Sequence, residues 1–482
     1  MPRMSEPRLR VAIPLVVGCA FFMEGLDSTM IAVSIPAMAK SLGEQALRLN
    51  LVITTYLVSL AVFIPVSGWV ADRVGSCTTF RLALVVFMAA SMGCAFSSTL
   101  SEFVVWRAVQ GIGGAMMVPV GRMMVVRSSP KGDLVRALSF ISMPALMGPM
   151  LGPPLGGLIV TNMDWRWIFF VNVPIGVLGV VLATLFIPDI REETPPLDTK
   201  GLVLLAVGLG GLMLGTAMFG RRVAPPEVAA ACIAAGAVAL PLYGRHALRV
   251  ERPLLEVRLL RLKTFEAGIA GGIMFRFGVG ASAFLLPLML QLAFGLDALQ
   301  SGLITFTGAA GALAVKPLAR GFLHRFGFRR LLIVNGVLAS LVLLASALFT
   351  PGTPHIVIML VLLCGGFLRS LQFTSLTAIT YAEVEPRLVG SATGMASVAQ
   401  QVSVSLGVAV GAMAVEMSEW ARGHALPQTA DFATAFVVVG LMSMASALLM
   451  LRLPFDAGDE ISGRAVPPRE APGTPAGPTL GG

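Results

Sequence analysis

The chain has 482 residues, 56% of them hydrophobic and only 13% charged, with a formal net charge of +9. Soluble domains carry about 25% charged residues, so a deficit this wide means that most of the surface faces something other than water. The positive balance does not point to nucleic acid, because Lys and Arg are scattered between apolar runs and form no single patch.

In chain order, the basic opening "MPRMSEPRLR" precedes an apolar run too long for a signal-peptide core and without an A-x-A-like exit, so it reads as a retained first span. Runs long enough to cross a bilayer as helices fall near 11–35, 47–71, 82–98, 103–126, 134–160, 166–187, 201–219, 227–243, 264–291, 299–319, 331–350, 355–380, 388–415 and 431–453. An even count, fourteen, puts both termini on one side. With the N-terminus inside, cytoplasmic segments hold 25 of the 35 basic residues and external loops hold six: Lys40, Arg48, Arg166, Arg221, Arg222 and Arg422. Positive residues are retained on the cytoplasmic side, so both ends are expected there. Arg107, Arg276, Lys316 and Arg369 stay inside spans.

The first span holds two acids, Glu24 and Asp27, in "FFMEGLDSTMIAVSIP". Three residues apart, they share a helix face about 60° wide. Two close carboxylates away from water cannot easily both ionise, so they are candidates to carry a proton; the other reading is that one acid pairs with a buried cation such as Arg107. The second span ends in "GWVADRVG", where Gly68 permits a close crossing, Asp72 can accept from a neighbouring helix N-terminus and Arg73 can reach another helix. In the fourth span, "WRAVQGIGGAMMVPVGR", Gly111, Gly113 and Gly114 let another helix approach closely. Arg107, with Gln110 beside it, either faces a cavity near the two acids or snorkels to the interface. A charge at midbilayer costs about 2.5–3.5 kcal/mol even on the gentler scale. The fifth span carries "MGPMLGPPLGG": Gly148, Gly152 and Gly156 recur every four residues, while Pro149 and Pro153, extended by Pro154 and Gly157, remove donors and bend the helix.

The basic stretch 244–263, "GRHALRVERPLLEVRLLRLK", is expected to lie along the inner surface and join two halves. An internal echo supports the halves: Arg73-Val74-Gly75 superposes on Arg325-Phe326-Gly327 at an offset of 252 residues. Duplicated halves with a site between them are a transporter architecture. The expected organisation is a cytoplasmic N-terminus at 1–10, a six-helix bundle at 11–187, two spacer helices with loops at 188–243, the linker at 244–263, a second six-helix bundle at 264–454 and a disordered tail at 455–482, rich in Pro and Gly. The second bundle contributes Arg276, Lys316 and Arg369. Three cations opposite two acids suggest a dipolar cavity and, as one reading, an anionic substrate such as a carboxylate or metal–carboxylate complex of the citrate kind.

These segments, with "DWRWIFFVNVPIG" at 164–176, resemble the major facilitator superfamily, and within it the fourteen-helix drug:proton antiporter branch of EmrB and QacA type. The likeness runs from about 11 to 454. It implies an all-α polytopic major facilitator fold, alternating access between two six-helix bundles and proton-driven export of small amphipathic compounds across a bacterial inner membrane. By that resemblance Asp27 is the first-helix acid and Arg107 the fourth-helix arginine. Gly148, Pro149, Gly152, Pro153, Gly156 and Gly157 form the antiporter motif; Gly68, Asp72, Arg73 and Gly75, with Arg325 in the echo, form the cytoplasmic gate. Three departures stand out: Ser76-Cys77-Thr78-Thr79 replaces the basic residues after the gate, Ala32 stands where the family has asparagine, and Glu24 is additional.

The five cysteines, Cys19, Cys77, Cys94, Cys232 and Cys364, sit at no metal-ligand or redox spacing and read as apolar filler. The four histidines form no cluster, so no metal is expected. Without a G-x-x-x-x-G-K-S/T loop or a nucleophile elbow, neither ATP-driven pumping nor an enzyme is supported. The expected partners are a small-molecule substrate, protons and the lipid bilayer, with no cofactor and no nucleic acid, in a monomer that leaves room for accessory export partners. Proton-driven uptake and a membrane sensor stay open as alternatives.

Overall fold

The computed structural model describes residues 6–128, 134–192, 194, 196–219, 224–424, 426–454 and 457. Part of the expected N-terminal segment, the loop with Arg221 and Arg222, and nearly all of the 455–482 tail lie outside those residues. Lipid offers no partner for backbone N–H and C=O, so a chain this apolar must close its hydrogen bonds inside helices. Sixteen helices are described: α1 (Glu6–Leu42), α2 (Asn50–Val74), α3 (Ser76–Phe96), α4 (Leu100–Ser128), α5 (Leu134–Asn162), α6 (Trp167–Phe170), α7 (Asn172–Phe186), α8 (Thr199–Met218), α9 (Pro226–Ala247), α10 (Lys263–Leu288), α11 (Ala298–Ala314), α12 (Ala319–Phe326), α13 (Phe328–Ala345), α14 (His355–Thr380), α15 (Val389–Arg422) and α16 (Thr429–Met450). Among the described residues there is no strand. Among the described residues thirteen helical spans are long and apolar enough to cross a membrane, or fourteen when the bent pair α11–α12 is counted as one. The protein is a multi-pass, all-α membrane protein.

The tenth span bends by 59° between α11 and α12, at Lys316-Pro317, where proline supplies no N–H to continue the helix. The 244–263 stretch joins α9 to α10. Its first residues extend α9, a 3₁₀ turn covers Val257–Arg261, and the Tyr243 hydroxyl pins the connection by accepting from Leu255 N at 2.7 Å and donating to Leu255 O at 3.2 Å.

In the first half α1 packs on α5, α4 and α7, α2 on α4, and α3 on α4 and α7. The second half repeats the scheme, with α10 on α14, α15 and α16, α11 on α14, and α13 on α14 and α16. The 252-residue offset is visible in the backbone: Gly43 (φ 65°) falls on Gly295 (φ 71°), and Gly75 (φ 115°) on Gly327 (φ 72°). Each turn needs a left-handed residue, where glycine has no Cβ penalty. The halves touch along two seams, α5 with α11 and α2 with α15, and α8 lies over the second seam against both α2 and α15.

Call the face where α2 turns into α3 proximal and the opposite face distal. The distal ends of the halves are closed. Leu299 N donates to Thr161 Oγ1 at 3.1 Å, Gln291 Nε2 donates to Val33 O at 2.9 Å, and a Cβ added to Gly302 would meet the Pro153 carbonyl carbon at 2.8 Å. On the proximal side Gly68 meets nothing within 4 Å. The close crossing expected there is absent.

Candidate functional site

The glycines of α4 explain how a charge comes to be buried. A Cβ on Gly111 would stand 2.6 Å from Ser59 Cβ of α2, and one on Gly114 would stand 3.0 Å from the Tyr56 hydroxyl. Without side chains there, α4 seats against α2 and carries Arg107 inward to 1% exposure. Arg107 therefore neither snorkels nor lines the central cavity; it is turned into the first bundle. Its Nη1 pairs with Asp27 Oδ2 at 2.8 Å and donates to Gln110 Oε1 at 2.5 Å, and Nε donates to Val52 O at 3.3 Å.

Asp27 is held on every side. Its Oδ1 accepts from Gln110 Nε2 at 3.0 Å and from Asn172 Nδ2 at 2.7 Å. The same two amides also donate to Ser91 Oγ, at 2.7 and 3.0 Å. Four helices, α1, α3, α4 and α7, thus converge on one carboxylate. Glu24 is partly buried and makes a different contact: its Oε1 accepts from the Tyr56 hydroxyl at 3.1 Å. The Tyr56 ring lies under the Arg107 guanidinium, 4.2 Å from Cζ to the centroid. The two acids, Arg107 and Gln110 are brought together as the sequence suggested. Tyr56, Ser91 and Asn172 were not foreseen; the available signal was a lone polar side chain in an apolar run, as in "FFVNVPIG".

The antiporter-motif residues build the α1–α5 contact. A Cβ on Gly148 would meet Phe22 O at 2.5 Å, one on Gly156 would meet Met30 Cα at 3.1 Å, and one on Gly25 of α1 would lie 3.0 Å from Pro149 Cγ. Gly152 seats against Thr29, and Gly157 reaches across to the Ala298 carbonyl.

Between the halves lies a cavity of about 550 Å³. α1 lends it Ser28, Thr29, Ala32 and Val33, α5 lends Leu146, Pro149, Met150 and Pro153, and the remainder of its wall comes from the second half. Its only charged lining residues are Lys316 and Arg369; Glu24, Asp27, Arg107 and Gln110 are not in the wall. Arg276 is 6% exposed, stands 5.1 Å over the ring of Phe373, a lining residue, and leaves its Nε without a hydrogen-bond partner. Among the described residues no carboxylate pairs with Arg276, Lys316 or Arg369, and no His, Cys, Asp and Glu cluster suits a metal ion.

The gate residues are arranged differently from expectation. Asp72 pairs with Arg127 of α4 at 2.9 Å, and Arg127 also reaches Glu192 at 3.2 Å. Arg73 instead lies over Trp69 of its own helix, 5.4 Å from the centroid, because its side chain leaves the bundle where Asp72 enters it. Arg325 likewise stands 5.8 Å from the Phe326 ring. Where the family's basic residues are missing, a loop fills in. Ser76 N donates to Ile190 O at 3.0 Å, Glu192 N to Asp72 O at 2.9 Å, and Thr78 donates twice to Asp189, at 3.0 and 2.9 Å. Burial pushes the Asp189 carboxyl up, but the Thr78 N–H and hydroxyl, helped by Arg191, hold it below its ordinary value.

Known proteins share this design. The profile of the Major Facilitator Superfamily matches residues 17–408 and 268–476. A protein of Escherichia coli O6:H1 (strain CFT073) carried under the name multidrug resistance protein MdtD is 35% identical over 452 residues, 93% of this chain and 95% of its own length. Among solved structures, an auto-inhibited POT-family peptide transporter superposes with a TM-score of 0.69 at 18% identity, covering 93% of this chain and 98% of that one. A D-xylose–proton symporter superposes at 0.67 with 17% identity, covering 91% and 96%. Identities this low speak for the fold alone.

Proposed function

The chain belongs to the Major Facilitator Superfamily and is a secondary transporter, not an enzyme, and from that premise we propose that it is a proton-coupled exporter of small amphipathic organic compounds, working by alternating access. The observation that carries this reading is the carboxylate pair in α1: Asp27 locked to Arg107 at 2.8 Å, with Glu24 one turn away. Ionisable groups held inside a membrane bundle are costly and mark relays and pathways. The proton gradient supplies about 2.3 kcal/mol per charge per 100 mV plus its pH term. With the distal ends joined and the lining reaching Lys316, just past the proximal end of α11, the cavity is read as facing the proximal side. The Lys and Arg bias supports reading that side as cytoplasmic, in a bacterial inner membrane, and α8–α9 are read as a spacer between six-helix halves. The multidrug-resistance name of the relative in E. coli supports export as the direction.

One observation favours a second reading of the substrate. A wall whose charged members are only Lys316 and Arg369, backed by Arg276, suits an anionic amphiphile better than a cation. The test begins with an untargeted comparison of compounds retained by cells with and without the protein. The best hit is then followed in everted vesicles energised by a pH gradient. Gradient-dependent accumulation, abolished by an uncoupler, is the expected result; accumulation that ignores the gradient overturns the coupled reading.

A further inference from the structure

We propose, resting on the proton-coupled reading above, that Glu24 is the carboxyl that exchanges the proton, that Asp27 is the fixed counter-ion of Arg107, and that Tyr56 is the positioning residue through which Glu24 acts on that pair. The family resemblance points to Asp27 as the working acid. The geometry points three residues earlier.

Three donors already hold the Asp27 carboxylate. Oδ2 faces Arg107 at 2.8 Å, and Oδ1 takes two amide N–H donors, from Gln110 and Asn172. Protonating it would leave a guanidinium at 1% exposure without a counter-ion, the costly way to break a buried pair. Glu24 is built otherwise. One hydrogen bond reaches it, from the Tyr56 hydroxyl at 3.1 Å, and it is partly exposed where Asp27 is 2% exposed.

The charged groups around Glu24 come from several elements. α1 itself gives Asp27, α2 gives Tyr56, and α4 gives Arg107 and Arg122. At this level α5 presents Gly148 and Pro149 and α7 presents the neutral amide of Asn172. α10 and α11 hold Arg276 and Lys316 at or beside the central cavity.

The proton step balances simply. A proton from the open side adds to the Glu24 carboxylate and gives a carboxylic acid, with no other bond made or broken. The carboxyl gains one O–H donor and keeps a carbonyl acceptor, so the charge-assisted hydrogen bond from the Tyr56 hydroxyl becomes a neutral and weaker one and the phenol is freer to shift. Gly114 leaves the space beside that hydroxyl, since a Cβ there would lie 3.0 Å from it. The Tyr56 ring is also the bed of the Arg107 guanidinium, at 4.2 Å. A shift of the phenol therefore reaches Arg107, and through it the four-helix cluster around Asp27, without any change in the charge of Asp27.

Infrared difference spectroscopy on the full-length protein in liposomes tests this without a transported substrate, by following the C=O band of a protonated buried carboxyl between about pH 5 and 9. One titrating band is expected in the wild type. It disappears in Glu24→Gln, returns in Glu24→Asp, and persists in Asp27→Asn. In Tyr56→Phe, which keeps the ring and loses the hydroxyl, its midpoint moves by about half a pH unit or more. Loss of the band in Asp27→Asn with retention in Glu24→Gln overturns the assignment, and an unmoved midpoint in Tyr56→Phe overturns the role of Tyr56. Should Asp27→Asn fail to reconstitute, Asn172→Ala removes one donor from Asp27 and one from Ser91 while leaving the Glu24–Tyr56 contact in place. Its midpoint is expected to match the wild type, and a shift as large as that of Tyr56→Phe counts against the proposal. No titrating band in the wild type would sink the proton-coupled reading itself, a result distinct from a band assigned to the wrong acid.

Discussion

Under the 252-residue offset Glu24 of α1 falls on Arg276 of α10, Asp27 falls on Val279, and Tyr56 falls on Gly308. The first half therefore carries a buried ion pair whose carboxylate takes three donors. In the second half, among the described residues, Arg276, Lys316 and Arg369 have no carboxylate against them, and Val279 and Gly308 line the cavity. Duplicated helices have thus been put to two uses. A closed polar cluster fixes four helices of one bundle, while unpaired cations and a glycine-smoothed wall in the other leave room for something to bind. In the proposed function the ligand supplies the charge that the second half lacks.

The sharpest way to break this contrast is to delete one cation from each half. Arg107→Leu strands Asp27, and removing one partner of a buried pair costs about 3–5 kcal/mol. The variant is expected to lose most of its thermal stability in detergent, and the double variant Asp27→Leu/Arg107→Leu to recover much of it. Arg369→Leu removes a charge that has no described acid partner, so its unfolding midpoint is expected to match the wild type or exceed it. Equal losses in the two single variants would erase the distinction. A smaller effect is expected at the α1–α5 contact, where Gly148→Val drives a side chain toward Phe22 O. Overpacking of this kind costs about 1–3 kcal/mol, read as a lower unfolding midpoint.

The binding side of the contrast is sharpened by Lys316→Gln and Arg369→Gln. Across a matched series of anionic, neutral and cationic amphiphiles, each change is expected to cost the anionic member on the order of tenfold in affinity, about 1.4 kcal/mol, and the neutral member little. Uniform losses across the series would remove charge from the account. The smallest effect belongs to Asp189, which ties the loop after α7 to α3. Its folded-state pKa is depressed, so its contribution is present above the unfolded value of about 3.9 and disappears as the pH falls through the folded value. Because the carboxylate is exposed, that contribution is expected to stay below about 1 kcal/mol. Asp189→Asn should therefore lower the unfolding midpoint slightly at neutral pH and not at all in strong acid.

Much of the site was legible because polar residues in apolar runs are few and conspicuous. Glu24, Asp27 and Arg107 announce themselves, and the glycines of α4 and α5 mark where helices approach. The partners did not announce themselves. Asn172 and Ser91 come from two further helices, and Tyr56 is one aromatic residue among many, so only their convergence gives them meaning. Arg73 and Arg127 show the same limit at the gate. Both are cations near a helix end, and the sequence reading singled out Arg73 for a reach to another helix and Asp72 for a helix N-terminus. On a helix the neighbour in sequence points about 100° away, and the partner came from α4.

By itself the amino-acid order determined the number of spans, their all-helical nature and the repeated halves, because lipid forces each apolar run to satisfy its own backbone and each turn to carry its glycine. Only the tertiary structure decided which charges are paired. Ion pairing is settled over a few ångströms between side chains from different helices, and helix rotation, set by close packing at Gly111, Gly114 and Gly148, brings Asp27 to Arg107 while leaving Arg369 facing an open cavity.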